Sequence, residues 1–186
     1  ISLLGEIKEK WFNSSVVRND PKLESLIKVV KEKRDENDRR KIIIFSEFAD
    51  TAYYLHEKLK NDFRTLFYSA SESSETLKTT IKENFDAGSL KQSNEYDILI
   101  ATDAISEGYN LHRAGVIFNY DIPFNPTRVI QRVGRINRIN KKVFDRLFIF
   151  NFFPTATGER ETSTRSISTL KISMIHSLLG EDTKVL

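Results

Sequence analysis

The sequence predicts an α/β fold in which helices cover both faces of a parallel sheet. Short runs rich in Ile, Val and Phe alternate along the chain with segments whose apolar residues repeat at helical spacing. This order is typical of successive strand–helix–strand units. The apolar runs show little alternation of polar and apolar residues, so both faces of each strand are expected to be covered. The sequence contains no internal repeat and no low-complexity tract.

The first predicted helix begins at Asp20-Pro21, because Asp is a favoured N-cap and Pro a favoured first helical residue. One apolar face of this helix is formed at i, i+3, i+4 and i+7 by Leu23, Leu26, Ile27 and Val30. The charged run 31–40 is expected to end the helix and to form an exposed loop. Residues 41–45, Lys-Ile-Ile-Ile-Phe, form the first predicted strand.

The later segments continue the alternation. Further strands are predicted at 64–68, 96–101, 115–120 and 146–152, and further helices at 49–60, 73–86, 126–137 and 163–179. Gly88 is placed to end the 73–86 helix, and Asn125-Pro126 is placed to begin the 126–137 helix. Ligand sites in such folds gather at the carboxyl ends of the strands. This rule directs attention to residues 46–47, 102–103 and 121–126.

The net charge of +3 over 186 residues is unevenly distributed. Residues 121–146 contain seven Arg or Lys and two Asp, a net charge of +5, so the rest of the chain is slightly acidic. This pattern indicates a local anion site, although a solvated basic helix face explains it equally well. Cysteine is absent, which excludes disulfides and thiolate chemistry. No apolar run is long enough to span a membrane.

The segment 101–111, Ala-Thr-Asp-Ala-Ile-Ser-Glu-Gly-Tyr-Asn-Leu, directly follows a predicted buried strand. Its Ala, Ser and Gly residues allow a ligand to approach the backbone closely. Thr102, Asp103, Glu107 and Asn110 supply hydrogen-bond donors and acceptors near the strand end. The alternative is an ordinary strand-to-helix turn in which Thr or Asp caps the helix.

The segment 131–138 continues the helix predicted from 126. Polar side chains align on two overlapping faces of it: Arg128, Arg132 and Arg135 on one, and Gln131, Arg135 and Arg138 on the other. Guanidinium groups converging from one helix suit phosphate oxygens, because the planar fork donates in pairs. Gly134 lowers helix stability by about 1 kcal/mol relative to Ala, which suggests that another group approaches closely there. The alternative is a solvated helix containing a stray glycine.

Together these segments resemble motifs V and VI of the superfamily 2 helicases and translocases. The closest resemblance is to the Swi/Snf-like branch, which includes bacterial RNA-polymerase-recycling ATPases. Three ordered stretches carry it: T-D-A-x-x-E-G-x-N-L at 102–111, Y-D-x-P-F-N-P at 120–126 and Q-x-x-G-R-x-x-R at 131–138. The strand and turn 42–48 resembles motif IV. Arg132, Asn137 and Asn140 depart from the eukaryotic remodeller pattern, so a bacterial relative is expected.

The resemblance implies a three-layer RecA-like domain, the second lobe of a two-lobe motor, with ATP between the lobes and DNA or RNA crossing both. It implies that Arg135 and Arg138 act as catalytic arginine fingers on the triphosphate, and that Thr102 contacts the nucleic-acid backbone. It also places four residues at the ATP cleft: Gln131, Gly108, Glu107 and Asn110. It also implies an N-terminal linker at 1–20, the RecA-like domain at 21–153, and a C-terminal helix and tail at 154–186.

The sequence lacks a G-x-x-x-x-G-K-[ST] phosphate loop and a D-E-x-H run. Since the chain begins with Ile1, we expect it to be a piece of a longer polypeptide whose first RecA-like lobe binds most of the ATP and Mg²⁺. No cofactor is expected to bind these residues alone, and no ATP turnover is expected from them. The resemblance favours a cytoplasmic protein without a membrane partner.

Two alternatives to a motor lobe come from other functional classes. One is a stand-alone RecA-like module that binds nucleic acid or a protein partner without catalysis. A phosphate loop upstream of Ile1 would favour the motor over this module. The other is a Rossmann-type enzyme acting on a small molecule, which is disfavoured because no G-x-G-x-x-G follows the first strand. His56 and His112 are expected to be helix-surface or packing residues and not catalysts. Four phenylalanines are expected to bury one edge of the sheet: Phe148, Phe150, Phe152 and Phe153.

Overall fold

The computed structural model describes residues 20–106, 108–123, 125–136, 143–153 and 169. Their strands and helices alternate as the sequence predicts. The helices are α1 (Pro21–Glu36), α2 (Ala49–Leu59), α3 (Glu75–Phe85) and α4 (Pro126–Gly134). The strands are β1 (Lys41–Phe45), β2 (Thr65–Tyr68), β3 (Ile98–Ala101), β4 (Ala114–Asn119) and β5 (Phe148–Asn151). Short 3₁₀ turns occupy Ala70–Glu72 and Asp103–Ser106.

All five strands are parallel, in the order β2-β3-β1-β4-β5. Successive residues of the central strand point to opposite faces of the sheet, as strand geometry requires. Ile42 and Ile44 pack with the apolar residues of α1 and α2. Ile43 and Phe45 pack on the other face with residues of α3 and with Ile136, just beyond α4. The predicted three-layer arrangement is therefore confirmed.

Helix starts are capped by the residue types that the sequence suggested. The Asp20 carboxylate accepts a hydrogen bond from the Leu23 N–H at 2.9 Å. The Asn125 side-chain oxygen accepts one from the Thr127 N–H at 3.1 Å. Since a helix leaves its first N–H groups without intrahelical partners, these contacts fix where α1 and α4 begin. Both predicted Asx-Pro starts are confirmed.

The prediction of an exposed loop over 31–40 is wrong for most of that run. Helix α1 continues to Glu36, and the Lys33 side chain is buried, with Nζ 4.4 Å from the centre of the Phe148 ring. The Arg40 guanidinium lies 4.8 Å from the same ring. Long basic side chains cover aromatic surface with their apolar stems while keeping the charge near a polar partner. Charge alone therefore misidentified this segment.

Several element ends differ from the predicted ones. Helix α3 is shorter than the predicted 73–86 at both ends, and α4 ends at Gly134, with Arg135 as its C-cap. Phe148, Phe150 and Phe152 pack against the α1–α2 side of the core as predicted, whereas Phe153 is 37% exposed. The predicted N-terminal linker at 1–20, apart from Asp20, lies outside the described residues. So does the predicted 163–179 helix, apart from Thr169, which is helical.

Among the residues that the structure describes, none of the helices combines the length and apolar character needed to cross a membrane.

Replacing Gly115 with Ala is expected to lower the free energy of unfolding by about 1–3 kcal/mol, the usual cost of overpacking. The new Cβ would lie 2.7 Å from Cγ of Arg40 and 3.0 Å from Cδ2 of Phe144. Arg40 cannot swing away freely, because its guanidinium bonds Glu36 and packs over Phe148. Urea denaturation measures the change. Gly134→Ala is the matched control, since no described atom lies within 4 Å of its added Cβ. Equal stability of the Gly115→Ala and wild-type proteins would contradict this packing.

Candidate functional site

The carboxyl ends of the parallel strands bring separate polar segments to one edge of the sheet. Thr102 follows β3 and is largely buried. Its N–H donates to the Tyr68 carbonyl at the end of β2, at 3.2 Å, and its carbonyl accepts from the Ile105 N–H at 3.2 Å. These bonds hold Thr102 at the start of the 3₁₀ turn Asp103–Ser106. The predicted nucleic-acid contact is thus fixed at the strand end.

Arg132 is the most deeply buried cation at this edge, with a fully buried side chain. Its Nε donates to Asp103 Oδ1 at 2.6 Å, and its Nη1 donates to Asn119 Oδ1 at 2.8 Å. The guanidinium carbon lies 4.9 Å from the centre of the Phe45 ring. Arg132 is therefore not part of an outward-facing phosphate site. The interpretation that Arg128, Arg132 and Arg135 converge on an external anion is wrong for Arg132, because an internal carboxylate and amide already bind it.

Hydrogen bonds extend from this arginine across the sheet edge. The Asn119 amide donates to Asn151 Oδ1 at 2.7 Å, which links the ends of β4 and β5. On the other side, Arg128 Nη1 donates to Asp103 Oδ2 at 3.1 Å and lies 3.4 Å from Glu47 Oε1. We refer to this set as the Asp103 network: Glu47, Asp103, Asn119, Arg128, Arg132 and Asn151. It joins the segments after β1 and β3, and the last residues of β4 and β5, to helix α4.

A second contact joins α4 to the predicted ATP-cleft segment. The Leu111 N–H donates to the Arg135 carbonyl at 3.0 Å. Just before it, Gly108 has φ +90°, a backbone conformation that L side chains rarely adopt. Asn110 Nδ2 lies 3.4 Å from Asp86 Oδ2. The structure therefore brings Gly108, Asn110 and Arg135 to one region of the surface.

This region borders an open groove of about 530 Å³, lined in part by Gly108, Asn110, Lys78 and Lys82. Tyr109 also lines it, and its hydroxyl lies 3.4 Å from that of Tyr68. Burial, aided by this hydrogen bond, raises the pKa of Tyr109 above the usual range of a phenol. Carboxylates line the same groove: Glu75 accepts from the Lys78 ammonium at 2.6 Å, and Asp86 from the Asn110 amide.

The end of α4 presents its other polar residues outward. Gln131 and Gly134 are exposed, and Arg135 is partly exposed. The space around Gly134 is open, with no described atom within 4 Å of an ideal Cβ. The close approach suggested for this glycine is therefore not made by the described part of the chain. Glu107 and Arg138 lie outside the described residues, so the structure tests neither position.

Sequence reasoning missed the pairing of Asp103 with Arg132, and it missed Asn119 and Asn151 altogether. The strand-end rule did indicate residues 102–103, 46–47 and 121–126. Two of these segments meet where Ser46 Oγ donates to Asp121 Oδ2. No signal in the sequence indicated which side chains would pair, because the partners come from different strand ends.

The described residues contain no group of three or more His, Cys, Asp or Glu side chains that could hold a metal ion. The two acidic partners of Arg128 and Arg132 are already engaged in ion pairs.

Comparison with known families identifies a match over residues 21–140 to the helicase conserved C-terminal domain. Among curated relatives, the uncharacterized ATP-dependent helicase YqhH of Bacillus subtilis is 33% identical over 102 residues, which cover 55% of this chain and 17% of YqhH. The RNA polymerase-associated protein RapA of Vibrio campbellii is 29% identical over 133 residues, covering 70% of this chain and 13% of RapA. The chain thus spans less than a fifth of either relative.

Among solved structures, the C-terminal part of the Fun30 ATPase domain superposes with a TM-score of 0.66 at 19% identity. The superposition covers 89% of this chain and 53% of that one. At this identity the likeness concerns the fold, and it confirms the three-layer RecA-like architecture.

Asp103→Asn is expected to destabilise the domain by about 3–5 kcal/mol, more than Arg132→Met, at about 1–3 kcal/mol. The asparagine leaves a fully buried guanidinium without its carboxylate. The methionine leaves Asp103, whose side chain is 20% exposed and still paired with Arg128. Urea denaturation of both variants measures the difference. A larger loss in Arg132→Met would show that packing, and not charge compensation, dominates the contact.

Proposed function

The chain belongs to the helicase conserved C-terminal domain family of superfamily 2, and on that premise we propose that it forms the second motor lobe of an ATP-dependent helicase or translocase. A first RecA-like lobe, outside these 186 residues, completes the ATP site. The lobe supplies arginine fingers and cleft residues to ATP and contributes a contact to the nucleic-acid strand. The RecA-like domain occupies 21–153, flanked by a linker at 1–20 and a C-terminal helix and tail at 154–186.

The observation that carries this proposal is the hydrogen bond from the Leu111 N–H to the Arg135 carbonyl. It joins the end of the segment 102–111 to the end of α4. One end of that segment holds Thr102, the proposed nucleic-acid contact, and the other end meets the proposed finger. The two functions of a motor lobe are thus connected through ten residues of backbone.

On the nucleotide side, Arg135 and Arg138 stabilise the charge that develops on the transferred phosphoryl group. A planar guanidinium suits this task because it can hold two oxygens at once. Gln131, Gly108, Glu107 and Asn110 line the same cleft. The open space at Gly134 allows the first lobe or the nucleotide to approach the helix backbone. These groups fit the phosphate end of ATP.

The described residues of this lobe include no group of three or more His, Cys, Asp or Glu side chains that could hold Mg²⁺. The first lobe therefore holds Mg²⁺ and most of the nucleotide, and this lobe alone does not turn over ATP. Because the fingers come from a separate lobe, hydrolysis depends on closure of the two lobes, which couples chemistry to movement.

On the nucleic-acid side, Thr102 contacts the sugar–phosphate backbone of DNA or RNA. Its position at the carboxyl edge of the sheet supports this role, since ligands of parallel α/β sheets bind there. Contacts of this kind fix the position of a strand without reading its sequence.

We assign the parent protein to the Swi/Snf-like branch and to a bacterium. The three motif stretches support the branch, and the departures from the eukaryotic remodeller pattern at Arg132, Asn137 and Asn140 support a bacterium. A cytoplasmic location follows from a motor that works on nucleic acid in such a cell.

In the parent protein, Arg135→Lys and Arg138→Lys are expected to be nearly as damaging as the corresponding Ala variants. Lysine retains the charge but presents a single compact donor group instead of a planar fork. Nucleic-acid-stimulated kcat should fall by about 10²–10⁴, while KM for ATP and Kd for nucleic acid change much less. Steady-state kinetics and binding titrations of the four variants provide the measurement.

Near-wild-type kcat in both lysine variants would overturn the finger assignment. It would leave the end of α4 as a basic surface and favour the non-catalytic module.

The 186-residue chain is expected to bind nucleic acid weakly, without sequence preference and with strong salt dependence. Each phosphate that it neutralises adds about −0.9 to the slope of log K against log salt on duplex DNA, and about −0.7 on single strands. Thr102→Val should weaken binding. Thr65→Val is the matched control, because Thr65 is also a buried threonine but lies at the opposite, amino edge of the sheet. A flat salt dependence, or marked preference for one sequence, would argue against backbone contact.

A further inference from the structure

We propose that Arg128 is a second contact of the lobe with the nucleic-acid backbone, and that Glu47 and Asp103 bind this arginine when no strand is present. The inference rests on the proposed function, since it concerns the same nucleic-acid path as Thr102. It assigns to Arg128 a ligand, a backbone phosphate, and it assigns to two carboxylates the role of competitors for that phosphate.

The first argument is that the two carboxylate oxygens of Asp103 bind different arginines. Oδ1 accepts the buried Nε–H of Arg132 at 2.6 Å, whereas Oδ2 accepts from Arg128 at 3.1 Å. Arg132 is fully buried, while the side chain of Arg128 is 49% exposed. Arg128 can therefore leave Oδ2 without depriving the buried guanidinium of its carboxylate. The inner pair is structural, and the outer one is exchangeable.

A comparison with Arg64 shows how loosely Arg128 is held. At the opposite edge of the sheet, Arg64 Nε and Nη2 each donate to Asp97 at 2.8 Å, a bidentate pairing. Arg128 instead makes both of its carboxylate contacts, at 3.1 and 3.4 Å, through the single nitrogen Nη1. Bidentate pairs are the stronger and geometrically more specific ones. Arg128 thus has the exposure and weak pairing of a cation that can change partners.

The position of Arg128 supplies the second argument. Asp103 immediately follows Thr102, so a guanidinium 3.1 Å from its carboxylate lies at the turn that holds the proposed strand contact. Arg128 also belongs to the first turn of α4, which begins at Pro126. The N-terminal end of a helix favours a negative charge. The N–H groups of Thr127 and Arg128 already donate to Asn125, so the helix end contributes its field and not free donors. A phosphate beside Thr102 would therefore meet the exposed fork of Arg128.

The energetics permit the exchange. An exposed ion pair stabilises a protein only weakly, since water solvates both charges and the side chains lose freedom. A nucleic-acid phosphate releases condensed counterions when a guanidinium neutralises it, which favours the new contact at low salt. Glu47 and Asp103 then act as local competitors that reduce affinity without abolishing binding.

The experiment is a double-mutant cycle on the 186-residue chain, with fluorescent single-stranded and duplex oligonucleotides titrated over a range of salt. Arg128→Ala should lower affinity and reduce the magnitude of the salt slope by about 0.7 on single strands and 0.9 on duplex. Glu47→Gln should raise affinity by about two- to fivefold at low salt, because it removes one competitor. In the double variant the gain from Glu47→Gln should disappear.

Two control variants change the net charge equally at the amino edge of the sheet. Glu95→Gln matches Glu47→Gln, and Arg39→Ala matches Arg128→Ala; both control residues are exposed. Each should alter affinity less than its counterpart. If a control variant changes affinity as much as its counterpart does, total charge, and not Arg128, governs binding.

The outcomes separate this inference from the proposed function. If the chain binds nucleic acid and Glu47→Gln raises affinity equally with and without Arg128, local repulsion explains the gain. That result overturns the inference and leaves the proposed function standing. If no variant binds nucleic acid, both the inference and the nucleic-acid part of the proposed function are overturned. If ATP alone binds the chain with the same Glu47–Arg128 coupling, Arg128 belongs to the nucleotide site, which also overturns the inference.

Discussion

The carboxyl edge of this domain depends on a guanidinium that has no exposure to solvent. Arg132 needs a carboxylate from the turn after β3, an amide from the end of β4 and the ring of Phe45 at the end of β1. A buried cation without its counter-charge costs several kcal/mol, so these segments cannot shift far from one another. An apolar side chain at this position would often be as stabilising. We therefore interpret the ion pair as a constraint on geometry: it sets how α4 lies on the sheet.

That constraint determines what the rest of α4 presents to solvent. With Arg132 and Val129 directed inward, Gln131 and Gly134 face outward, and the helix ends where Leu111 bonds the Arg135 carbonyl. The positions of Gln131 and Asn110, two of the proposed cleft residues, thus follow from one buried contact and one backbone hydrogen bond. In the proposed motor, this rigidity has a mechanical consequence. A displacement of the turn at 102–106 by a bound strand would act on the helix through the pairing of Asp103 with Arg132.

Much of the fold could be predicted from the sequence, because burial on both faces of a parallel sheet leaves long β-branched runs and capped amphipathic helices. Asp20-Pro21 and Asn125-Pro126 marked real helix starts. The edge of the sheet where the site lies also followed from topology. The roles of individual cations could not be predicted in this way. Helical spacing placed Arg132 on the same face as Arg128, but spacing does not tell whether a cation meets an internal carboxylate, as Arg132 does. The same limit explains why the 31–40 run, with Lys33 over an aromatic ring, was misinterpreted as an exposed loop.

The two edges of the sheet show why charge in a sequence is a poor measure of charge on a surface. At the amino edge, Arg34 and Arg64 share Asp97, and burial, reinforced by the nearby Arg113, lowers the pKa of Lys41 to about 8. These cations are bound or disfavoured within the fold, so they offer little to an external anion. At the carboxyl edge, Arg132 is likewise neutralised by Asp103, and the net charge of +5 over residues 121–146 overstates the outward positive surface. At this edge Arg128 is 49% exposed and meets both of its carboxylate partners through one nitrogen. An anion selects among cations by how readily they leave their present partners. At the carboxyl edge that criterion favours Arg128 on α4, beside the turn that follows β3, over the buried Arg132.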